Sequence, residues 1–247
     1  MTDDRPSFPQ TLFQPEPGSA QVLLIRHGQS APFVPGRPFD LIDGHGDPHL
    51  TERGVYQASL VGERLRTEPI SAVYASTLTR TQQTASPLAG NLGFDVKIEP
   101  DLREVFLGDW EGGLLRQKQA EGHPAAMAAR TNREWSEIPG AESNEALTTR
   151  TVAAVSSIAA AHPDELVAAF CHGGVIGAVL GHAAGVNPFT FNGSRHTAIA
   201  HVVIQPTGWV IRSFNDASHA GRLTSDYEVP GPLGSSAESH EPGHHVG

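Results

Sequence analysis

Through the middle of the chain, short apolar runs alternate with stretches of helical period, and no other feature restricts the fold as much. Gln21-Val22-Leu23-Leu24-Ile25 is a continuous apolar run, the pattern of a strand buried on both faces. Thr51 stands where it can cap a helix in which Val55, Ala58, Val61 and Leu65 recur on one face. Ile70 to Tyr74 reads as a second strand, followed by Leu78, Thr81, Ala85 and Leu88 at helical spacing. Asp95 to Ile98 reads as a third strand, and a helix from about Asn144 presents Leu147, Thr151, Val155 and Ile158 on one side. Glu165 to Cys171 is a fourth strand, with Val175 to Ala184 a helix packed behind it. Ala198 to Ile204 and Trp209 to Ile211, joined through Pro206-Thr207-Gly208, read as a hairpin at the sheet edge. Such alternation calls for right-handed crossovers and an α/β three-layer sandwich: a mostly parallel, mixed central sheet with helices on both faces. Ligands of these sheets sit beyond the carboxyl ends of the strands.

Composition sets the outer bounds. The 247 residues suit one α/β domain, here placed at 20–219, and 38% apolar residues suffice for its core. Residues 1–19 and 220–247, rich in Pro, Gly, Ser, Glu and Gln without period, read as a disordered arm and tail. A formal charge of -10 argues against a broad surface for nucleic acid or anionic lipid, though not against a small anionic ligand in a locally basic pocket. No stretch approaches the roughly 20 apolar residues of a membrane helix. Cys171 is the only cysteine, so no intramolecular disulfide can form, and a reducing cytoplasm is the expected compartment.

Two histidines stand where a buried strand stops and glycine begins: His27 before Gly28, and His172 before Gly173-Gly174. Glycine lets the backbone approach a ligand closely, and the turn that follows leaves N–H groups aimed at the crevice. Arg26 ends an apolar run, and Arg80 lies early in the helix after the second strand, near the same sheet edge. A guanidinium is a planar fork of donors that matches phosphate and stays charged. Carboxylates stand in the loop after the third strand, where spacing alone does not choose among Asp101, Glu104, Asp109 and Glu111.

Seven blocks in order then resemble the histidine phosphatase superfamily, the clan of cofactor-dependent phosphoglycerate mutases and related phosphatases. They are Leu24 to Ser30, Asp47 to Gly54, Ala75 to Ala85, Leu102 to Glu104 with Gly108 to Gly112, Pro139 to Ser143, His172 to Gly174, and Asn215 to His219. The resemblance implies that His27 is a nucleophile that becomes phosphorylated, held in its neutral form by flanking cations. Arg26, Arg80 and His172 would hold the non-bridging oxygens. Glu104 is the acid that the family pattern selects, to protonate the leaving alcohol and then deprotonate the attacking water. Gln29, Ser30 and Gly173 fall where donors would reach phosphate. Neither a metal nor an organic cofactor is implied, and the domain shows no cluster with metal-ligand spacing.

Glycine rather than aspartate follows the second histidine, which favours the mutase-like branch over the acid phosphatases. The segment from Leu114 to Ile138 is nevertheless short and alanine-rich, although Arg116, Lys118, Arg130 and Arg133 remain. Water is therefore the expected acceptor, with phosphotransfer of the mutase type as the alternative and non-catalytic phospho-ligand binding a lesser one. Gly28-Gln29-Ser30-Ala31-Pro32 departs from a serine hydrolase elbow at its last position. The loop from Gly36 to Gly46 is expected to lie over the crevice, with Arg37 and His45 touching the substrate beyond its phosphate. The substrate is expected to be a small phosphorylated metabolite, and the edge hairpin leaves room for a homodimer.

Overall fold

The computed structural model describes residues 8–221. In chain order they form β1 (Ala20–Arg26), β2 (Leu41–Ile42), β3 (His45–Gly46), α1 (Glu52–Leu65), β4 (Ile70–Ala75), α2 (Thr79–Leu92) and β5 (Val96–Ile98). There follow α3 (Leu114–Ala120), α4 (Pro124–Asn132), α5 (Asn144–Ala161), β6 (Leu166–Cys171), α6 (Gly173–Ala184), β7 (Ile199–Gln205) and β8 (Gly208–Asp216). Most of the expected arm and tail, residues 1–7 and 222–247, lies outside the described residues. Residues 8–19 form no helix or strand, but Gly18 N–H donates to Asp164 Oδ1 at 2.6 Å and Glu16 N–H to Gln205 Oε1 at 3.2 Å.

Six strands make one sheet in the order β5-β4-β6-β1-β7-β8. The first four run parallel, and β7 and β8 close the edge as an antiparallel hairpin. The continuous apolar run of β1 is explained by its place between β6 and β7, where alternate residues serve opposite faces. Val22 and Leu24 pack with α5 and α6 through Val155, Ile158, Val175 and Val179. Leu23 and Ile25 pack on the other face with α1 and α2 through Val61, Leu65, Ala85 and Leu88. The three layers anticipated from the strand-helix alternation are thus present. Among the described residues no helix is long and apolar enough to cross a membrane.

Thr51 caps α1 as expected, its hydroxyl accepting from Gly54 N–H at 3.1 Å. Val55 departs from expectation: it is exposed, and the buried face runs through Gly54, Gln57, Ala58, Val61 and Leu65. The rotation follows from a backbone contact that periodicity does not register. A Cβ at Gly54 would lie 2.0 Å from Gln29 O, so α1 presses its first turn against the loop after β1, and Val55 turns outward. That loop, at the carboxyl end of β1, is where the site begins.

Candidate active site

His27 follows β1 directly, with its backbone N–H donating to Cys171 O at 3.0 Å and its side chain buried. Its Nδ1 lies 2.7 Å from Gly28 O. A carbonyl only accepts, so Nδ1 carries the proton and Nε2 keeps its lone pair. Burial pushes the His27 imidazole well below its ordinary range, and the charges of Arg80 and then Arg26 push it further. His172 lies behind it, fully buried, with ring centroids 5.2 Å apart. Burial, then Arg80 and His27, hold it neutral as well. Its Nε2 meets Ser76 Oγ at 2.9 Å, while Nδ1 is buried with no hydrogen-bond partner among the described residues.

The arginines converge from different elements. Arg26 ends β1 and donates through Nη1 to Ser194 O. Arg80, in the first turn of α2, donates to Gly46 O at 2.9 Å and lies 3.8 Å from Asp47 Oδ1. Burial lowers its guanidinium to about 10, opposed by Glu104 and Asp47, so it remains charged at neutral pH. Asp47 is occupied by Thr79, accepting from its backbone N–H at 2.8 Å and its hydroxyl at 2.5 Å, which ties the β3 loop to the start of α2.

Of the four acids left open by spacing, Glu104 lines the cavity beside His27 and Arg80. Its Oε1 accepts from Val105 N–H and Gly174 N–H, both at 3.0 Å. Gly174 leaves room for that contact, because a Cβ there would sit 2.5 Å from the oxygen and the carboxylate would have to shift. Oε2 has no protein hydrogen bond among the described residues. Glu111 also faces the cavity, but both its oxygens are engaged, by Leu107 N–H at 2.8 Å and Gly46 N–H at 2.7 Å. Asp101 and Asp109 are exposed and do not line it.

The cavity beside His27 holds about 250 Å³. Ser30 and His45 line it. β2 and β3 turn through Asp43 and Gly44, with φ of 50° and 83°, and carry His45 inward, where Nε2 is buried with no hydrogen-bond partner among the described residues. Arg37 is exposed and does not line the cavity, because the chain turns there through a Val34–Arg37 backbone bond. Gln29 faces an adjoining lobe, its side chain held by Thr51 Oγ1 at 2.9 Å. Gly173 opens α6 against Arg26 and does not reach the cavity, although the α6 N-terminus favours negative charge there. Arg116 and His196 also line the cavity and were not singled out by sequence reasoning. Both come from segments whose strand and helix patterns say nothing of the site.

Among the described residues five histidines, His27, His172, His196, His201 and His219, are held below their ordinary range and give stability a definite pH dependence. Burial is the first cause for each, lowering His196 to about 3 and His219 to about 4. Above about pH 6.5 the imidazoles are neutral in both folded and unfolded chains and contribute no slope. Below it the unfolded chain takes up protons that the folded chain refuses, so stability falls as pH falls. Each contributes up to about 1.4 kcal/mol per pH unit. Calorimetric Tm should therefore drop between pH 7 and pH 5, before the carboxylates titrate; a flat Tm would show that these imidazoles protonate freely.

A neutral buried imidazole with a free nitrogen, two arginines and a carboxyl group, gathered at the carboxyl ends of parallel strands, define a phosphoryl-transfer enzyme. The profile of the histidine phosphatase superfamily, branch 1, matches residues 22–217, and the chain belongs to that family. A phosphoglycerate mutase-like protein 4 of Arabidopsis thaliana is 37% identical over 161 residues, covering 64% of this chain and 68% of its own. A metal-independent phosphoserine phosphatase of the same plant is 34% identical over 205 residues, covering 81% and 82%. Among solved structures, a mycobacterial glucosyl-3-phosphoglycerate phosphatase superposes with a TM-score of 0.67 at 25% identity, covering 80% of this chain and 99% of that one.

Proposed function

We propose that the protein hydrolyses small phosphomonoesters through a phosphohistidine on His27, with water as the acceptor. The carrying observation is the hydrogen bond from His27 Nδ1 to Gly28 O, which leaves Nε2 as the nucleophilic atom in a cavity flanked by cations. Nε2 attacks phosphorus, the N–P bond forms, and the P–O bond to the alcohol breaks. Glu104 gives its proton to the departing oxygen. Water then attacks phosphorus, Glu104 takes its proton, and the N–P bond breaks to release phosphate and the neutral imidazole. Arg26 and Arg80 balance the equatorial charge, and the unpartnered Nδ1 of His172 offers a further donor. The reaction so written draws its positive charge from side chains and calls on no metal. The phosphatase names of two relatives support hydrolysis over mutase chemistry, as does the brevity of the α3–α4 segment. A reducing cytoplasm suits the reading, since burial keeps the Cys171 thiol protonated and out of the chemistry.

Glu104→Gln tests it. With p-nitrophenyl phosphate, whose leaving group needs no proton, the first step should survive and water attack should stall. Turnover should fall about 10²–10⁴-fold, and quenched samples should carry one alkali-stable, acid-labile phosphate on His27. Phosphate on another residue, or none with turnover intact, would reject the mechanism.

A further inference from the structure

We infer that Ser76 and Thr81 form a hydroxyl relay that fixes His172 as its Nε2–H tautomer, so that the phosphoryl pocket takes up one proton, at His172 Nδ1, when it binds a phosphate dianion. The inference rests on the pocket proposed above, in which His172 holds an oxygen of the phosphoryl group, and adds the protonation that this contact requires.

The direction of each hydrogen bond follows from the one before it. Thr81, in the first turn of α2, has its Oγ1 2.7 Å from Leu78 O and 3.2 Å from Ser76 O. A carbonyl only accepts, so the single hydroxyl proton of Thr81 points to the backbone. Thr81 Oγ1 and Ser76 Oγ are 2.9 Å apart, and the proton between them is then that of Ser76. Ser76 Oγ has no proton left for His172 Nε2, also at 2.9 Å. It accepts there, as it accepts from Leu78 N–H at 3.2 Å. The imidazole proton of His172 therefore sits on Nε2. Ser76, Thr81 and His172 are all fully buried, which shields the chain of bonds from solvent.

Nδ1 of the neutral ring thus carries a lone pair, at a buried position with no hydrogen-bond partner among the described residues. It becomes the donor that phosphate needs only when the ring gains a second proton. His27 is the opposite case, with its proton on Nδ1 beside Gly28 O, so the two rings at 5.2 Å carry opposite tautomers. The groups facing His172 explain why its second proton waits for a ligand. Burial first, then Arg80 on α2, His27, Arg150 on α5 and Arg26 at the end of β1 keep the ring neutral. Glu104 supplies the carboxylate at the first turn of α6, accepting from Gly174 N–H, and Cys171 keeps its thiol proton. A phosphate dianion reverses the sign of the field at Nδ1 and brings the missing acceptor. The proton comes from solvent, or from the ester when it enters as its monoanion. The N–H bond forms on Nδ1 and breaks again when phosphate leaves.

Sulfate is the probe, being a dianion with no proton of its own to give, and its binding needs no turnover. The full chain carries Glu104→Gln, which removes a second group that would take up a proton. Because the complex holds one proton more than the free protein, sulfate affinity should fall about tenfold for each pH unit above neutrality. Thr81→Val tests the relay without touching the ring. Valine keeps the shape and frees the Ser76 proton to turn toward His172 Nε2, which leaves the imidazole proton on Nδ1 and a donor already in place. Leu78 O still accepts from the backbone N–H groups of positions 81 and 82, at 3.0 and 3.4 Å. In that variant the affinity should change less than about twofold per pH unit. Nitrogen-15 spectra of the histidine-labelled protein, with His172→Asn assigning the signal, should show His172 protonated at Nε2 alone when free and at both nitrogens with sulfate. A free wild-type ring protonated at Nδ1, or a pH slope unchanged by Thr81→Val, would overturn the inference. Relay-dependent proton uptake in a chain that hydrolyses no ester would sustain it and refute the hydrolase.

Discussion

The His27→Ala protein should lose turnover on every phosphomonoester, by about 10⁴-fold or more, since it loses the atom that forms the covalent bond. The loss should be in kcat, and leaving-group acidity should not rescue it. The substitution is a clean one for the fold. The backbone N–H of His27 still reaches Cys171 O, and the deleted ring faces a cavity rather than the packed sheet. Phosphate release from p-nitrophenyl phosphate gives the measurement, with Tm as the folding control. Turnover within tenfold of wild type would require another nucleophile. Cys171 and Ser30 are poor substitutes: Cys171 is buried with its thiol proton held on, and Ser30 Oγ already accepts from Arg116.

The second large effect concerns a residue remote from phosphorus. Arg150, on α5, divides its donors between the loop that carries the acid and Glu142. It reaches Asp101 O at 2.7 Å, Arg103 O at 2.9 Å and Glu104 O at 2.9 Å, and pairs with both oxygens of Glu142 at 2.6 and 3.1 Å. Glu142 in turn accepts from Phe106 N–H at 2.8 Å. Arg150→Ala leaves three carbonyls and a carboxylate without their donor. The pair is 20% and 13% exposed, so the cost falls at the low end for a buried pair, about 3 kcal/mol. Glu104 is positioned through its backbone, so kcat on alkyl phosphates should fall more than kcat on p-nitrophenyl phosphate. Arg150→Lys should recover little of either, because an ammonium cannot span five acceptors in two directions. A lowered Tm with an unchanged ratio of the two kcat values would make Arg150 purely structural.

How far the site could be read from the chain depended on how local each signal was. His27 and His172 were legible because each closes a run of apolar residues and opens a glycine turn, a pattern contained within about eight positions. Arg80 was legible for a similar reason, being a cation one turn past a strand. Glu104 was not separable from its neighbours by spacing. The family pattern selected it; the structure sends Asp101 and Asp109 outward and occupies both oxygens of Glu111. Arg37 and His45 carried equal weight in the sequence, yet only His45 enters the cavity, because the β2–β3 hairpin turns that side of the loop inward. Asp47, Glu142 and Arg150 lie in or near the recognised blocks, but their work is to hold other segments, which no local pattern expresses.

The sequence by itself therefore determined the layered α/β architecture, the edge hairpin and the strand-end histidines with their arginines. Each follows from periodicity and burial along a single segment. The tertiary structure decided which nitrogen of His27 carries the proton, which acids have their oxygens engaged, and how each arginine of the cavity is held. Those properties arise where β1, the β3 loop, α2, α3 and the start of α6 meet. Segments far apart in the chain set the hydrogen bonds and desolvation there, and neither is written in the spacing of any one of them.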